Sequence, residues 1–191
     1  MTTSIKGRLL NEGLLTQRTA LGDQLNTYSQ ALKVTTANST AHSNSTDEAT
    51  LDSVTIAATD VSAGDVLEVS AKVVATATNG SDTLAVRLLV GTEEICTTGA
   101  VDVANDDVAM IHAKITLRAV GTSGSISAHG YTSLGASGTV TAKVFSKAAA
   151  SEDLSAAFTV TVRADWSAAS SSNSCRLEDF VVIQHRVGTR L

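Results

Sequence analysis

The chain of 191 residues contains no proline, two cysteines, three phenylalanines, two tyrosines and one tryptophan. So few aromatics argue against a carbohydrate-binding module, which stacks sugars on several exposed rings. Charged residues make up only 17 %, and no run of one sign would serve as an interaction tail. The net charge of −5, with lysines and arginines scattered along the chain, argues against nucleic-acid binding. No stretch approaches the roughly 18 apolar residues of a membrane-spanning helix. The opening Met1-Thr-Thr-Ser-Ile-Lys-Gly-Arg8 lacks the apolar run of a signal peptide. The expectation is a protein made in a cytoplasm that leaves it, if at all, by assembly and lysis. In that setting Cys96 and Cys175 read first as two reduced, buried thiols, with a disulfide as the other reading.

What the chain does have is small and β-branched. Hydrophobic residues are 43 %, drawn from Ala, Val, Leu and Ile, and about a quarter of the chain is Ser plus Thr, well above ordinary usage. Such residues suit closely paired sheets. Near the C-terminus Phe158, Val160, Val162, Ala164 and Trp166 alternate with Thr159, Thr161, Arg163 and Asp165. That period of two marks a half-buried strand. A Ser/Ala/Asn-rich turn over residues 167–174 leads to a second strand, and the pair reads as a closing hairpin. In the second strand Leu177, Val181, Ile183 and Val187 take one face, and Phe180 and Val182 the other. A strand apolar on both sides lies between two layers or between a domain and a neighbouring subunit.

Upstream the pattern is strand after strand. Leu67, Val69, Ala71, Val73, Ala75 and Ala77 alternate over one long strand, and Asn79-Gly80 after it is a strong hairpin signal. Leu84, Val86, Leu88 and Val90 follow, then a turn at residues 91–94 and a short strand from Ile95 to Thr98. Ala109, Ile111, Ala113, Ile115, Leu117 and Ala119 form another long strand, turning at residues 121–124 into one led by Ile126, Ala128 and Gly130. A further turn over residues 135–138 precedes Val140, Ala142 and Val144. The Ala-rich residues 147–155 read as a helical turn or a loop. About eight or nine strands joined by short Gly/Asn/Ser turns predict an all-β fold, an antiparallel jelly-roll-like β-sandwich occupying residues 50–191. Residues 1–34 differ: Leu14, Leu21, Leu25, Tyr28 and Leu32 have helical spacing, which reads equally as a helix packed under the sheet of its own domain or as an N-terminal arm, containing a short helix, that docks on another protein. Residues 35–49 are polar and low in complexity and read as a linker.

Constellations that could carry chemistry are sparse. No Gly-rich phosphate loop, Gly-x-Ser-x-Gly elbow or Cys-x-x-Cys pair is present, so no enzyme is expected, and no cofactor. His112 and His129 could approach across a hairpin if their phase puts them on one face, but no metal is expected there. Asp102, Asn105, Asp106 and Asp107 form an oxygen-rich cluster without EF-hand spacing, and read as a solvated loop. Trp166 reads as a core or subunit-interface anchor before it reads as a sugar platform.

The Thr/Val strand ending in Trp166-Ser167, the Ala/Ser/Asn turn and the finish Leu177-x-x-Phe180-x-Val182 resemble the closing hairpin of β-sandwich virion proteins of tailed bacteriophages. Ser62-Ala-Gly-Asp-Val-Leu67 resembles an early strand of such domains. The likeness is good over the last thirty or so residues and loose from Leu51 onward. It implies a small jelly-roll domain that trimerises and that caps or cements a capsid, forms a head fibre, or tips a tail fibre. The short chain and the apolar-studded arm favour capsid decoration on the outer surface of the virion. The implied partners are the chain itself, as a homotrimer, and the major capsid protein, with neither nucleic acid nor membrane. Trp166, Phe180, Val182 and Gln184 are the residues expected at the oligomer interface. Ile5, Leu9, Leu10, Leu14, Leu21, Leu25 and Tyr28 are expected in the capsid-docking arm. The alternative is a fibre-tip or head-fibre module binding host-surface glycan.

Overall fold

Leu67, Val69, Ala71, Val73 and Ala75, and across from them Ala109, Ile111, Ala113, Ile115 and Leu117, are buried on one side of two long paired strands. This is the outcome that period-two patterning dictates, because successive side chains leave a strand on opposite faces. The computed structural model describes residues 27–77, 81–135 and 142–187. Within these lie two antiparallel sheets and, apart from a 3₁₀ turn at Ala58–Asp60, no helix. The larger sheet runs β1 (Thr27–Val34), β12 (Ser174–Val187), β4 (Val66–Thr76), β8 (Asp107–Ala119), β9 (Ser125–Gly135) and β10 (Ala142–Ser151), with the short β2 (His42–Ser43) also on β12. The smaller runs β3 (Ala49–Ile56), β11 (Phe158–Trp166), β5 (Thr83–Val90) and β6 (Glu93–Thr97), with β7 (Val101–Asp102) on β5. Between them Leu84, Val86, Leu88, Val160, Val162 and Trp166 meet the buried rows of β4 and β8. The expected all-β, jelly-roll-like sandwich is the fold.

Three local hairpins form as the turns predict: β5–β6, β8–β9 and β9–β10. Two others do not. Strands β4 and β5, on either side of Asn79-Gly80, belong to different sheets, and so do β11 and β12. The closing pair is therefore an arch across the sandwich, not a hairpin, spanning the roughly 10 Å between packed sheets. The arch is fastened to the start of β5. Ser167 N donates to Thr83 O (2.9 Å) and Thr83 N to Ser167 Oγ (2.8 Å). Fully buried Asn173 donates through Nδ2 to Asp82 Oδ2 (2.9 Å) and Ala168 O (3.1 Å).

A second departure lies in β12. The register steps from Leu177↔Val73 to Asp179↔Lys72, so Glu178 is an extra residue, a β-bulge. The bulge reverses the phase of everything after it. Leu177, Phe180, Val182 and Gln184 all point inward and are fully buried, while Val181 and Ile183 point outward and are half-buried. Trp166 is also in the core. The four residues expected at the oligomer interface, Trp166, Phe180, Val182 and Gln184, are instead buried within the chain's own fold, and of the two readings of Trp166 the structure shows the core one. Gln184 is used to hold the 3₁₀ turn, donating to Asp60 O (2.7 Å) and to buried Asp65 Oδ2 (2.9 Å).

The expected boundary at residue 34 also moves. Residues 27–34, read as part of a helical arm, form strand β1 and pair with β12. Of residues 35–49, read as a linker, 35–43 continue along β12, and the rest cross to β3 in the smaller sheet. Thr35 N donates to Phe180 O, Ser39 N to Leu177 O, and β2 pairs with Ser174 and Cys175. Of the Ala-rich residues 147–155, the first five belong to β10, and 152–155 form the loop that follows it.

The four longer edge strands, β1, β3, β6 and β10, share one device, which the two-residue edge strands β2 and β7 lack. Each carries one extra residue: Leu32 in β1, Leu51 in β3, Ile95 in β6, and one of Ala148 and Ala149 in β10. Lysines close the flanks between the sheets. Lys33 Nζ bonds Asp52 (2.8 Å), Lys143 Nζ donates to Thr98 O (3.2 Å), and Lys147 reaches Glu93 and the carbonyl of Glu94. Bulges and inward-turned charges are the means by which sheet edges are kept from pairing with other chains.

Candidate functional site

The outer face of the larger sheet is where the unspent side chains collect. Cross-strand register sets them in rows. One row reads Val34, Val181, Ser70, His112, Tyr131 and Val144 from β1 to β10, and the next reads Ala31, Ile183, Glu68, Lys114, His129 and Ser146. Val34 is 56 % exposed, Tyr131 40 % and Val144 86 %. An antiparallel sheet that faces water is ordinarily polar on that side, and this one mixes exposed valines with charge. His112 and His129 do share this face, as diagonal neighbours, since His112 pairs with Tyr131 and Lys114 with His129.

Between the two rows, over β4, β8 and β9, lies a depression of about 280 Å³ lined by Glu68, Ser70, His112, Lys114, His129 and Tyr131. The rings of Tyr131 and His112 are in contact, with centroids 4.7 Å apart and planes tilted by 34°. Gly130 makes that approach feasible. A Cβ there would run into the carbonyl oxygen of His112, so β8 and β9 lie closer at this point than a side chain would permit.

At the rim His185 links two strands: Ser29 Oγ lies 2.8 Å from its Nδ1 and Glu68 Oε2 lies 3.0 Å from its Nε2. The trio has the composition of a hydrolytic triad. A triad also needs backbone N–H donors aimed at a developing oxyanion, and the backbone around Ser29 is committed to the ladder with β12. The trio's evident role is to tie β1, β12 and β4 together.

The other constellations serve the fold. On the smaller sheet Arg87 pairs with Glu48, Glu94 and Asp165, and Arg163 with Glu48. Burial pushes the Glu48 carboxyl up, but hydrogen bonds and charge from Arg163 and Arg87 outweigh it and hold the group below its ordinary range. Glu178, the bulge residue, is likewise held low by hydrogen bonds from Lys72 and Arg176. Asp107 and Asp106 brace their own loop, accepting from Ala104 N (2.9 Å) and from Asn105 Nδ2 (3.3 Å). Among the described residues no three His, Cys, Asp or Glu side chains converge as a metal site. Cys96 and Cys175 are free and buried. Burial pushes both thiols up to about 12, partly opposed at Cys175 by the indole N–H of Trp166. Ile5, Leu9, Leu10, Leu14, Leu21 and Leu25 lie outside the described residues, and Tyr28 falls in β1. The outward pair Val181 and Ile183 and the ring of Tyr131 were missed from sequence. The alternation that would have found the pair is broken by Glu178.

No family model matches the sequence and no curated protein matches it. Solved structures with a similar course include the VP2 subviral particle of infectious bursal disease virus, 11 % identical with a TM-score of 0.35, where 85 % of this chain covers 33 % of that one. The chain thus spans a third of the length of those viral chains. Lectin II from Ulex europaeus is 13 % identical with a TM-score of 0.37, where 85 % of this chain covers 94 % of that one. At these scores neither likeness carries an argument about what this chain does.

Proposed function

We propose that the chain is a non-enzymatic structural protein of a tailed-bacteriophage virion, decorating and stabilising the outer capsid surface as a homotrimer. Its N-terminal segment contacts the major capsid protein. The observation that carries the reading is the two-faced strand β12. Its inward side is filled by Leu177, Phe180 and Val182, yet its outward side still presents Val181 and Ile183 beside Val34 and Ala31 of β1. With the longer edge strands bulged, association is expected to run through a face, and in a trimer each such contact is heterologous and closes into a ring when the rotation is threefold. Burying such a patch contributes about 25 cal/mol per Å² before ordering costs. Residues 1–26 lead into β1 beside this patch, so a seated trimer would hold three such segments near the capsid and gain avidity from them.

The test is the solution mass of the chain and of Val181→Asp/Ile183→Asp. The expected result is a trimer for the parent and a monomer of unchanged far-UV circular dichroism for the variant, because neither side chain belongs to the core. A variant that remains trimeric, or a parent monomeric at every concentration, sinks this placement. Removal of residues 1–26 is expected to leave the trimer and abolish capsid binding.

A further inference from the structure

We infer that the depression over β4, β8 and β9 is a saccharide site whose preferred ligand is a sugar bearing a carboxylate. The inference goes beyond capsid decoration and does not depend on it. One side of a pyranose ring is a plane of C–H groups and its rim is hydroxyl, so a binding site needs an open aromatic ring with donors and acceptors around it. Tyr131 supplies the ring. It is 40 % exposed and backed by the imidazole of His112. Glu68, Ser70, His129 and Lys114 supply polar groups at the rim of the same depression.

Size and charge narrow the class. A volume of about 280 Å³ sits just under the roughly 300–1,000 Å³ of drug-sized pockets, which suits one or two sugar rings and not a dinucleotide. Glu68 already faces His185 Nε2 at 3.0 Å, whereas Lys114 has no carboxylate among the ion pairs of the described residues. An ammonium beside two imidazoles favours an anionic substituent through charge-assisted hydrogen bonds. The floor is preorganised, since it is the paired backbone of three central strands tightened at Gly130. The site is also compatible with assembly. Tyr131 on β9 lies three strand intervals from Val181 on β12, about 14 Å at ordinary spacing, so a contact through β1 and β12 leaves the ring open.

The experiment is a titration of the full chain, followed by isothermal calorimetry and by ring-proton NMR, with methyl glucuronide and N-acetylneuraminic acid against methyl glucoside. The expected result is saturable binding of an acidic sugar with a Kd near a millimolar, the neutral sugar binding at least about tenfold more weakly. Tyr131→Ala should weaken the acidic sugar by about tenfold or more, while Tyr131→Phe, which keeps the ring, should bind within about twofold of the parent. Lys114→Gln should erase the preference for the acidic sugar. Absence of saturation by either acidic sugar at about ten times a millimolar Kd overturns the inference, as does binding that Tyr131→Ala and Lys114→Gln leave unchanged.

Discussion

Phe180→Ala separates the two ways of orienting the last strand. In the structure Phe180 is fully buried, among the largest such side chains in the molecule. Truncating a buried phenylalanine costs about 3–5 kcal/mol, part lost transfer energy and part cavity. Against a total of roughly 5–15 kcal/mol for a domain, that is a large fraction. At about 2–4 °C per kcal/mol for a chain of this length, a loss near 4 kcal/mol lowers Tm by some 8–16 °C. The opposite orientation, with Phe180 on an assembly axis, predicts a different signature: weakened association and a nearly unchanged unfolding of the dissociated chain. The assay is urea unfolding at two protein concentrations, paired with light scattering on the folded variant, because association shifts apparent stability by mass action. The reasoning fails if Phe180→Ala dissociates the oligomer while costing less than about 1 kcal/mol in unfolding, the usual range of a surface change.

Two further expectations follow from the titrating groups. With both thiols raised to about 12, neither Cys96 nor Cys175 should react with iodoacetamide at pH 8 in the native state, and both should react in denaturant; labelling of either in the folded protein contradicts their burial. Glu48 and Glu178 titrate below the ordinary 4.5, so their contribution to stability is present above that value and is lost as pH falls through their folded-state range. Glu48→Gln should therefore destabilise at pH 7 more than at pH 3, and an equal loss at both values would exclude the arginine pairing as its source.

How much of this was legible depends on how far each feature reaches along the chain. The rows from Leu67 to Ala77 and from Ala109 to Leu117 are strictly alternating, and their burial matches residue by residue, because local pleat geometry alone decides it. The turn at residues 121–124 likewise names its own partners. Asn79-Gly80 and the Ser-rich residues 167–173 show where the chain reverses but not which sheet it re-enters. That choice is made by distant contacts such as Asn173 with Asp82. Tyr28 and Leu32 mislead for a simpler reason: a spacing of four satisfies a helical stripe and one side of a strand alike. The face of β12 was misread through one residue, since a single insertion at Glu178 inverts the phase of all that follows. The binding depression was invisible as a motif. Its residues come from three strands, at Glu68 and Ser70, His112 and Lys114, and His129 and Tyr131, and only the register brings them together.

The bulges in the four longer edge strands bear on how the protein behaves when copies are crowded together. Strand-to-strand pairing is a growth process without an end point, since each added chain offers a new edge and the aggregate lengthens with supply. Here each of the four longer edge strands breaks the regular template that such pairing needs, and the two without a bulge, β2 and β7, are two residues long. If copies associate as proposed, through faces, such contacts saturate once a ring closes. A chain built from long strands rich in β-branched and small apolar residues would ordinarily sit close to its precipitation limit. In this one, four extra residues at the margins work against the open-ended reaction.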